Sequence, residues 1–341
     1  MRNRRKLIWQ LPFLALLIVG TVLIIMQQHN MPYVHNEGKI FGTTYHITYQ
    51  SYQDLQPEIE KALKDVDNSL SPFNKTSIIT KVNENTPVTV NKMFIDVFRL
   101  AEKISKETDG AFDITVAPLV NAWGFGFEEG NDPDKKTIDS LLTLVGFDKV
   151  SLTTTGEVKK RDPRIKLDCS AIAKGYGCDV VASVLQQHDV TNYMVEIGGE
   201  VVTKGINENR VPWRIGVNKP TDDPMQESQE LVTVLNVTDK SMATSGNYRN
   251  FYYKEGKKYA HTIDPKSGTP VQHSLLSATV LARNCATADA YATSFMVMGM
   301  EKAKLVLEKH PELMAYFIYS GADGSYQVWY SPSLRDKILD D

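Results

Sequence analysis

The chain has 341 residues, with 38 lysines and arginines against 41 aspartates and glutamates, and a formal net charge of -3. No basic stripe appears outside the N-terminus, which excludes the electrostatic pattern of a nucleic-acid-binding protein. Cys169, Cys178 and Cys285 are too few and too scattered for a disulfide framework, and at most one bridge can form. CxxC pairs are absent, so a structural zinc site is not expected. The expected partner is therefore a small ligand or a protein.

The N-terminus combines a basic cluster with a long apolar run. Met1–Lys6 is rich in arginine, and the sequence from Leu7 to Met26 is almost uninterruptedly apolar. About 20 apolar residues cross a bilayer, and a basic flank marks the cytoplasmic side. We predict that residues 1–30 anchor the protein in the inner membrane, with the rest exported to the periplasmic or extracytoplasmic side. A cleaved signal peptide is the alternative, although no small-residue cleavage motif follows Met26.

Residues 31–341 contain no linker, low-complexity run or repeat, which predicts one large domain. Alternation predicts a strand at Thr44–Tyr49, and helical periodicity predicts helices from about Pro57 and over Lys92–Thr108. Further strands are predicted at Ile165–Leu167, Tyr193–Ile197, Trp213–Val217, Val232–Val237, Ser277–Leu281 and Ala315–Tyr319. Further helices are predicted at Ile172–Gln187, Ala286–Met298 and Lys302–Glu308. Because strands cluster between helical stretches, the pattern favours an α+β fold over a strict βαβ alternation.

Two helical segments carry residues suited to a phosphate and a metal. Asp168–Tyr176 places an acid, small residues and Lys174 around a predicted helix start. Asp289 and Thr293 are four positions apart, so on a helix they share one face. A carboxylate and a hydroxyl on one face suit a hard cation such as Mg²⁺ or Ca²⁺. Alternatively, Asp289 caps the helix or meets solvent, and Thr293 bonds back to a carbonyl.

Two further segments have both a functional and a structural interpretation. His261–Gly268 begins as a strand and ends in a turn, where an imidazole can act as a general base or simply support a β-turn. Ala243–Tyr248 offers hydroxyls and a glycine that can hold a phosphate, or it is an ordinary loop. No GxGxxG or P-loop motif occurs, which disfavours a Rossmann or Walker nucleotide site.

Eight segments in one order change this interpretation. They are Phe41–Thr43, Asp109–Val116, Leu119–Gly126, Asp168–Tyr176, Ile197–Gly199, Ala243–Tyr248, His261–Gly268 and Ala288–Thr293. With them, the chain resembles the ApbE family, the FAD:protein FMN transferases, over nearly all of residues 31–341. The resemblance implies a single large mixed α/β domain of the T-fold-like type. It also implies a Mg²⁺-dependent reaction that splits FAD, releases AMP and joins FMN by a phosphoester to a Thr or Ser hydroxyl of a partner protein.

The resemblance assigns individual site residues. The implied FAD contacts are Phe41, Phe73, Ala111, Phe112, Asp113, Asp168, Lys174 and Ile263. The implied Mg²⁺ ligands are the Ala171 backbone carbonyl, Asp289 and Thr293. Phe41 stands where the family usually has Met, and Phe73 where Tyr is frequent, so the apolar wall is kept but a hydroxyl is lost at Phe73. We predict that His261 removes the proton of the acceptor hydroxyl, with Asp264 as the second choice.

The resemblance also implies a class of partner. The family's acceptors include extracytoplasmic flavin-accepting proteins of electron-transfer complexes, which agrees with the predicted export. Two alternative functions use the same residues. In an FAD pyrophosphatase, water replaces the acceptor hydroxyl and the products are free FMN and AMP. In a non-catalytic flavin-binding protein, FAD stays intact.

Overall fold

The computed structural model describes residues 10–22, 31–128, 132–220, 230–247, 251–254 and 257–339. Residues 10–22 are helical and are called α1. Among the described residues, no helix combines the length and the apolar character needed to cross a membrane. The predicted anchor, residues 1–30, lies mostly outside the described residues and stays a prediction.

Fifteen strands follow in the described part of the chain. They are β1 Tyr33–Ile40, β2 Thr43–Gln50, β3 Val150–Leu152, β4 Val158–Lys160, β5 Tyr193–Ile197, β6 Glu200–Lys204, β7 Arg214–Asn218, β8 Leu231–Asn236, β9 Ser241–Gly246, β10 Phe251–Lys254, β11 Lys257–Ala260, β12 Leu275–Ala282, β13 Met314–Ser320, β14 Tyr326–Tyr330 and β15 Ile338–Leu339. The central sheet has eight strands in the order β1-β2-β5-β6-β9-β12-β13-β14, and every neighbouring pair is antiparallel. Three small sheets lie beside it, with the orders β15-β8-β7, β3-β4 and β10-β11.

The helices after α1 are α2 Gln56–Leu70, α3 Ile78–Asn83, α4 Lys92–Glu107, α5 Ala117–Ala122, α6 Lys135–Leu142, α7 Ser170–Gln187, α8 Cys285–Met298 and α9 Met300–Lys309. Helices α7 and α8 lie against the central sheet and against each other, and both contribute to the buried apolar clusters. Small residues allow the backbones of α7 and α8 to approach each other closely. A Cβ atom added to Gly175 would lie 2.4 Å from the Cys285 carbonyl oxygen, so glycine is required there.

The structure confirms the predicted mixture of helices and antiparallel strands. Most predicted elements occur within a few residues of the expected bounds, and the strand Tyr193–Ile197 matches β5 at both ends. The prediction of a strand at Ile165–Leu167 is wrong, because this segment pairs with no strand. Instead, the amide of Asn83 donates to the Leu167 carbonyl at 2.9 Å and accepts from the Leu167 N–H at 2.7 Å. The Asn83 side chain therefore makes the backbone hydrogen bonds that a neighbouring strand would otherwise provide.

The three cysteines are buried free thiols. Burial raises the pKa of Cys169, Cys178 and Cys285, which keeps all three protonated and poorly reactive. Their position in the apolar clusters supports the interpretation that they are small packing residues.

Candidate active site

A cavity of about 980 Å³ opens where the β1–β2 turn, the start of α7 and the middle of α8 meet. Of the residues predicted for the site, Asp264 alone does not line it. The predicted residues that do are Phe41, Phe73, Ala111, Phe112, Asp113, Asp168, Ala171, Lys174, His261, Ile263, Asp289 and Thr293. Segments separated widely in the sequence are thus brought to one concave surface, which is the usual form of a small-molecule site.

The start of α7 forms one charged wall. Asp168 lies just before the helix, and its Oδ1 accepts hydrogen bonds from the Ser170 N–H at 2.8 Å and from Ser170 Oγ at 2.5 Å. Burial raises the pKa of Asp168, and these two hydrogen bonds oppose that effect. The carboxylate is held in one orientation at the cavity wall, where it can accept further hydrogen bonds from a ligand.

Lys174 lines the cavity and forms an ion pair with Glu200. Its Nζ lies 2.6 Å from Oε1 of Glu200, whose side chain is only 2% exposed. Glu200 also lines the cavity, and the sequence analysis did not assign it a role. The signal that could have found it is its position directly after Gly198 and Gly199, at the start of β6. An acid that is buried beside a cavity usually has a fixed cationic partner.

Asp289 is buried inside the protein and does not cap α8. Asn284 is the N-cap, and its side chain accepts from the Thr287 N–H at 2.9 Å. Oδ2 of Asp289 accepts from the Gly175 N–H of α7 at 3.0 Å. Burial raises the pKa of Asp289, and the nearby charge of Lys174 opposes this shift. The alternative in which Asp289 caps the helix or meets solvent is therefore wrong.

The oxygen atoms near Asp289 form a set suited to a hard divalent cation. Thr293 lies one turn further along α8, and its hydroxyl is 3.0 Å from Ser245 Oγ instead of bonding back to its own helix. The N–H that an α-helix normally directs to the Ala171 carbonyl is that of Gly175, which donates to Asp289. A carboxylate, a hydroxyl and a carbonyl fit Mg²⁺, and the described residues contain no cluster of three His, Cys, Asp or Glu side chains that would form a different metal site.

The cavity also has aromatic side chains in its wall. Phe41 occupies the first position of the two-residue turn between β1 and β2, with a φ of 52°, and Gly42 follows with a φ of 74°. The Phe41 ring covers Gly177 of α7, where an added Cβ atom would come within 2.8 Å of it. Phe73 is 68% exposed, and its ring meets that of Phe127 edge to face at 6.3 Å. These rings offer a flat ligand apolar faces on which to stack.

Ala111, Phe112, Asp113 and Ile263 are buried in the cavity wall. Oδ1 of Asp113 accepts hydrogen bonds from the N–H and the hydroxyl of Thr115, at 2.8 and 2.7 Å, and so caps the 3-10 helix Ile114–Val116. Burial raises the pKa of Asp113, and the hydrogen bonds from Thr115 lower it. This carboxylate therefore has a structural role in addition to its predicted contact with FAD.

His261 and Asp264 occupy different positions. His261 lines the cavity, with its ring 6.5 Å from that of Phe125. Asp264 instead organises the following turn, because its Oδ1 accepts from the Lys266 N–H at 2.9 Å and its carbonyl from the Gly268 N–H at 2.8 Å. Of the two candidate bases, His261 is thus the one that lines the cavity. Strand β11 ends at Ala260, directly before His261, so the prediction that the segment His261–Gly268 begins as a strand is wrong.

Of the Ala243–Tyr248 segment, Thr244, Ser245 and Gly246 line the cavity at the end of β9, and Tyr248 lies outside the described residues. The hydroxyl of Thr244 bonds to that of Thr279 at 2.8 Å. The segment is therefore mainly a strand, not the loop that the composition indicates.

Comparison with known proteins gives one consistent result. The sequence profile of the ApbE family matches residues 41–317. The chain is 39% identical over 295 residues to the FAD:protein FMN transferase of Vibrio cholerae, covering 82% of this chain and 86% of that protein. It is 38% identical over 330 residues to the Haemophilus influenzae protein of the same name, covering 90% and 94%. The solved flavin transferase ApbE from Vibrio cholerae superimposes with a TM-score of 0.81 at 36% identity, covering 90% of this chain and 99% of that chain. The flavinyl transferase ApbE from Pseudomonas stutzeri gives a TM-score of 0.79 at 28% identity, covering 90% and 97%. The chain therefore belongs to the ApbE family.

Proposed function

We propose that the protein is an FAD:protein FMN transferase, which moves FMN from FAD to a Thr or Ser hydroxyl of a partner protein and releases AMP. The observation that carries this proposal is that one cavity combines aromatic side chains with charged and polar ones. Phe41 and Phe73 are among the aromatic side chains, and Lys174, Asp289 and Thr293 are among the charged and polar ones. A flavin ring suits the aromatic side chains, and a pyrophosphate suits the charged ones. The similarity to FAD:protein FMN transferases over most of the chain supports the same assignment.

The charged and polar residues of the cavity have separate roles in the reaction. Lys174 places a cation beside the pyrophosphate, and His261 accepts the proton of the acceptor hydroxyl. The acceptor oxygen then bonds to the phosphorus of the FMN half, and the bond from that phosphorus to the bridging oxygen breaks, so AMP carries the electron pair away. Asp168 orients the ligand by accepting hydrogen bonds. The mouth of the cavity must admit a segment of the partner protein.

Asp289, Thr293 and the Ala171 carbonyl are the residues that would hold Mg²⁺. Bound there, the cation would supply positive charge against the negative charge that develops on the leaving AMP. One carboxylate beside a hydroxyl and a carbonyl is a donor set that would suit Mg²⁺ in a phosphoryl-transfer site.

The function is tested by incubating the purified protein with FAD and Mg²⁺, with and without a flavin-accepting protein domain. We expect the acceptor to gain the mass of one FMN less one water, with one AMP released for each FMN transferred. An acceptor whose threonine is replaced by valine is the matched control and should stay unmodified. A chelator should stop the reaction, and added Mg²⁺ should restore it. Free FMN at the same rate with either acceptor would instead identify a pyrophosphatase, and intact FAD a binding protein.

We further propose that residues 1–30 tether the protein to the inner membrane, on the side where extracytoplasmic flavin-accepting proteins reside. A tether confines enzyme and acceptor to one surface and raises their effective concentration. We expect that replacing residues 1–30 by a cleavable signal peptide lowers the rate of acceptor flavinylation in cells several-fold at equal enzyme level. The activity of the purified domain should be unchanged. Equal flavinylation rates in cells for both forms would show that the tether is not needed.

A further inference from the structure

Helices α7 and α8 are joined by hydrogen bonds that run in both directions. The Gly175 N–H of α7 donates to Asp289 Oδ2 of α8 at 3.0 Å. In return, the Asp179 carboxylate of α7 accepts from the N–H groups of Cys285 and Ala286, at 2.7 and 2.9 Å. On each helix the two joined positions are about one turn apart. We call these three hydrogen bonds the α7–α8 clasp.

The clasp provides hydrogen-bond acceptors for N–H groups in the first turn of α8. The first N–H groups of a helix have no acceptor within the helix itself. The side chain of Asn284 accepts from Thr287, and the buried residues Cys285 and Ala286 direct their N–H groups to Asp179. One carboxylate thus satisfies two buried donors, and its negative charge is favourable at the positive end of the helix dipole. The first turn of α8 is therefore fixed to α7 by Asp179.

The backbones of α7 and α8 lie very close together at Gly175. A Cβ atom at Gly175 would lie 2.4 Å from the Cys285 carbonyl oxygen and 2.9 Å from the Ala286 nitrogen. Asp289 follows one turn later in α8, and the Gly175 N–H bonds it directly. A displacement of the first turn of α8 therefore moves the Asp289 carboxylate relative to the start of α7.

We propose that Asp179 is a positioning residue, which holds α8 so that the Asp289 carboxylate stays in register with the Ala171 carbonyl for cation binding. The inference rests on the proposed function, since it takes Asp289 as a ligand of the divalent cation. Asp179 does not line the active-site cavity, but a separate cavity of about 670 Å³. It acts through the backbone of α8, without touching FAD or the cation.

The test is the Asp179→Asn variant, with binding of Mn²⁺ alone followed by electron paramagnetic resonance. Asparagine keeps the size of the side chain but opposes one of the two α8 N–H groups with its own NH₂. We expect Mn²⁺ binding to weaken by about ten- to a hundredfold, the usual effect of removing a group that orients a metal ligand. At saturating Mg²⁺ the variant should regain the wild-type rate of AMP release. A purely structural defect would lower that rate at every Mg²⁺ concentration and would overturn the inference.

Asp239→Asn is the matched control. Asp239 lines the same separate cavity and its Oδ1 accepts the Gly205 N–H at 3.0 Å, but it makes no contact in the clasp. We expect this variant to bind Mn²⁺ like the wild type. If Asp179→Asn does not fold, Asp179→Glu tests the clasp instead, because it keeps the carboxylate but lengthens the side chain by one CH₂ group, and a loss of Mn²⁺ affinity is again expected.

The outcomes separate this inference from the proposed function. Wild-type Mn²⁺ affinity in Asp179→Asn, or in Asp179→Glu, overturns the inference and leaves the transferase activity untouched. Absence of Mn²⁺ binding in the wild type overturns both the cation site and the inference. Transfer of FMN is judged separately, by the mass of the acceptor.

Discussion

Replacing Asp289 by asparagine is expected to reduce FMN transfer by about 10³-fold, the loss seen when one electrostatic group of an active site is removed. The reason is that the carboxylate is the one negatively charged member of the oxygen set formed with Thr293 and the Ala171 carbonyl. The rate of AMP release and the mass of the acceptor measure the loss. The variant should still bind FAD, because the aromatic side chains of the cavity are unchanged.

The same substitution should not destabilise the protein. Burial raises the pKa of Asp289, so its charged form is costly in the folded state. The asparagine oxygen can still accept from the Gly175 N–H, and the buried charge is gone. We therefore expect an equal or higher melting temperature together with the loss of activity.

Ser294→Ala is the control for Asp289→Asn. Ser294 is also buried in α8, but its hydroxyl donates to the Ala290 carbonyl and it does not line the cavity. This variant should keep full activity. An active Asp289→Asn enzyme would show that the reaction does not need a carboxylate at this position.

The second large effect concerns the Lys174–Glu200 ion pair. Lys174→Met removes the cation 2.6 Å from a carboxylate that is 2% exposed. We expect the free energy of unfolding to fall by at most about 3–5 kcal/mol, the usual cost of taking one partner from a fully buried pair, because Lys174 itself is 30% exposed. FAD binding should weaken as well, because the pyrophosphate loses a positive charge. Denaturant unfolding and FAD titration measure the two effects.

The double variant Lys174→Met/Glu200→Gln separates stability from function. With both charges removed, most of the lost stability should return, while FMN transfer should stay impaired. Lys92→Met is the control, since Lys92 lies at the same 2.6 Å from Asp96 but on the surface, with side chains 85% and 39% exposed. Its effect should be less than about 1 kcal/mol. Recovery of transfer in the double variant would mean that the charge of Lys174 is not used by the substrate.

Much of the site follows from local sequence patterns. The four-residue spacing of Asp289 and Thr293 placed both on one face of α8, and the predicted bounds of α7 and α8 agree with the structure at their ends and to within two residues at their starts. The resemblance to a family implied which residues contact FAD, and the fold gathers all of these residues around one cavity. These features depend on neighbours along the chain or on matched motifs, and both can be read from a sequence.

The partners of these residues could not be predicted in the same way. Glu200 and Asp179 meet Lys174 and the start of α8 only because distant segments are packed together, and no spacing in the sequence records such contacts. The wrong prediction of a strand at Ile165–Leu167 has the same origin. The distant Asn83 side chain bonds the N–H and carbonyl of Leu167, which would otherwise need a neighbouring strand. The turn at Asp264 differs in this respect, because the Asp-Pro and Ser-Gly pairs predict it from the sequence and its hydrogen bonds confirm it.

The strand order of the central sheet has a consequence for biosynthesis. Strand β2 pairs with β5, so that His46 and Glu196, 150 positions apart in the sequence, form a hydrogen bond. The cavity continues to Val297 in α8. A chain that lacks Asp289 therefore has no complete site, and pairing of such distant strands is a slow step of folding. We accordingly expect FAD binding only after α8 has packed and β2 has paired with β5, so that acquisition of bound flavin would report a late stage of folding.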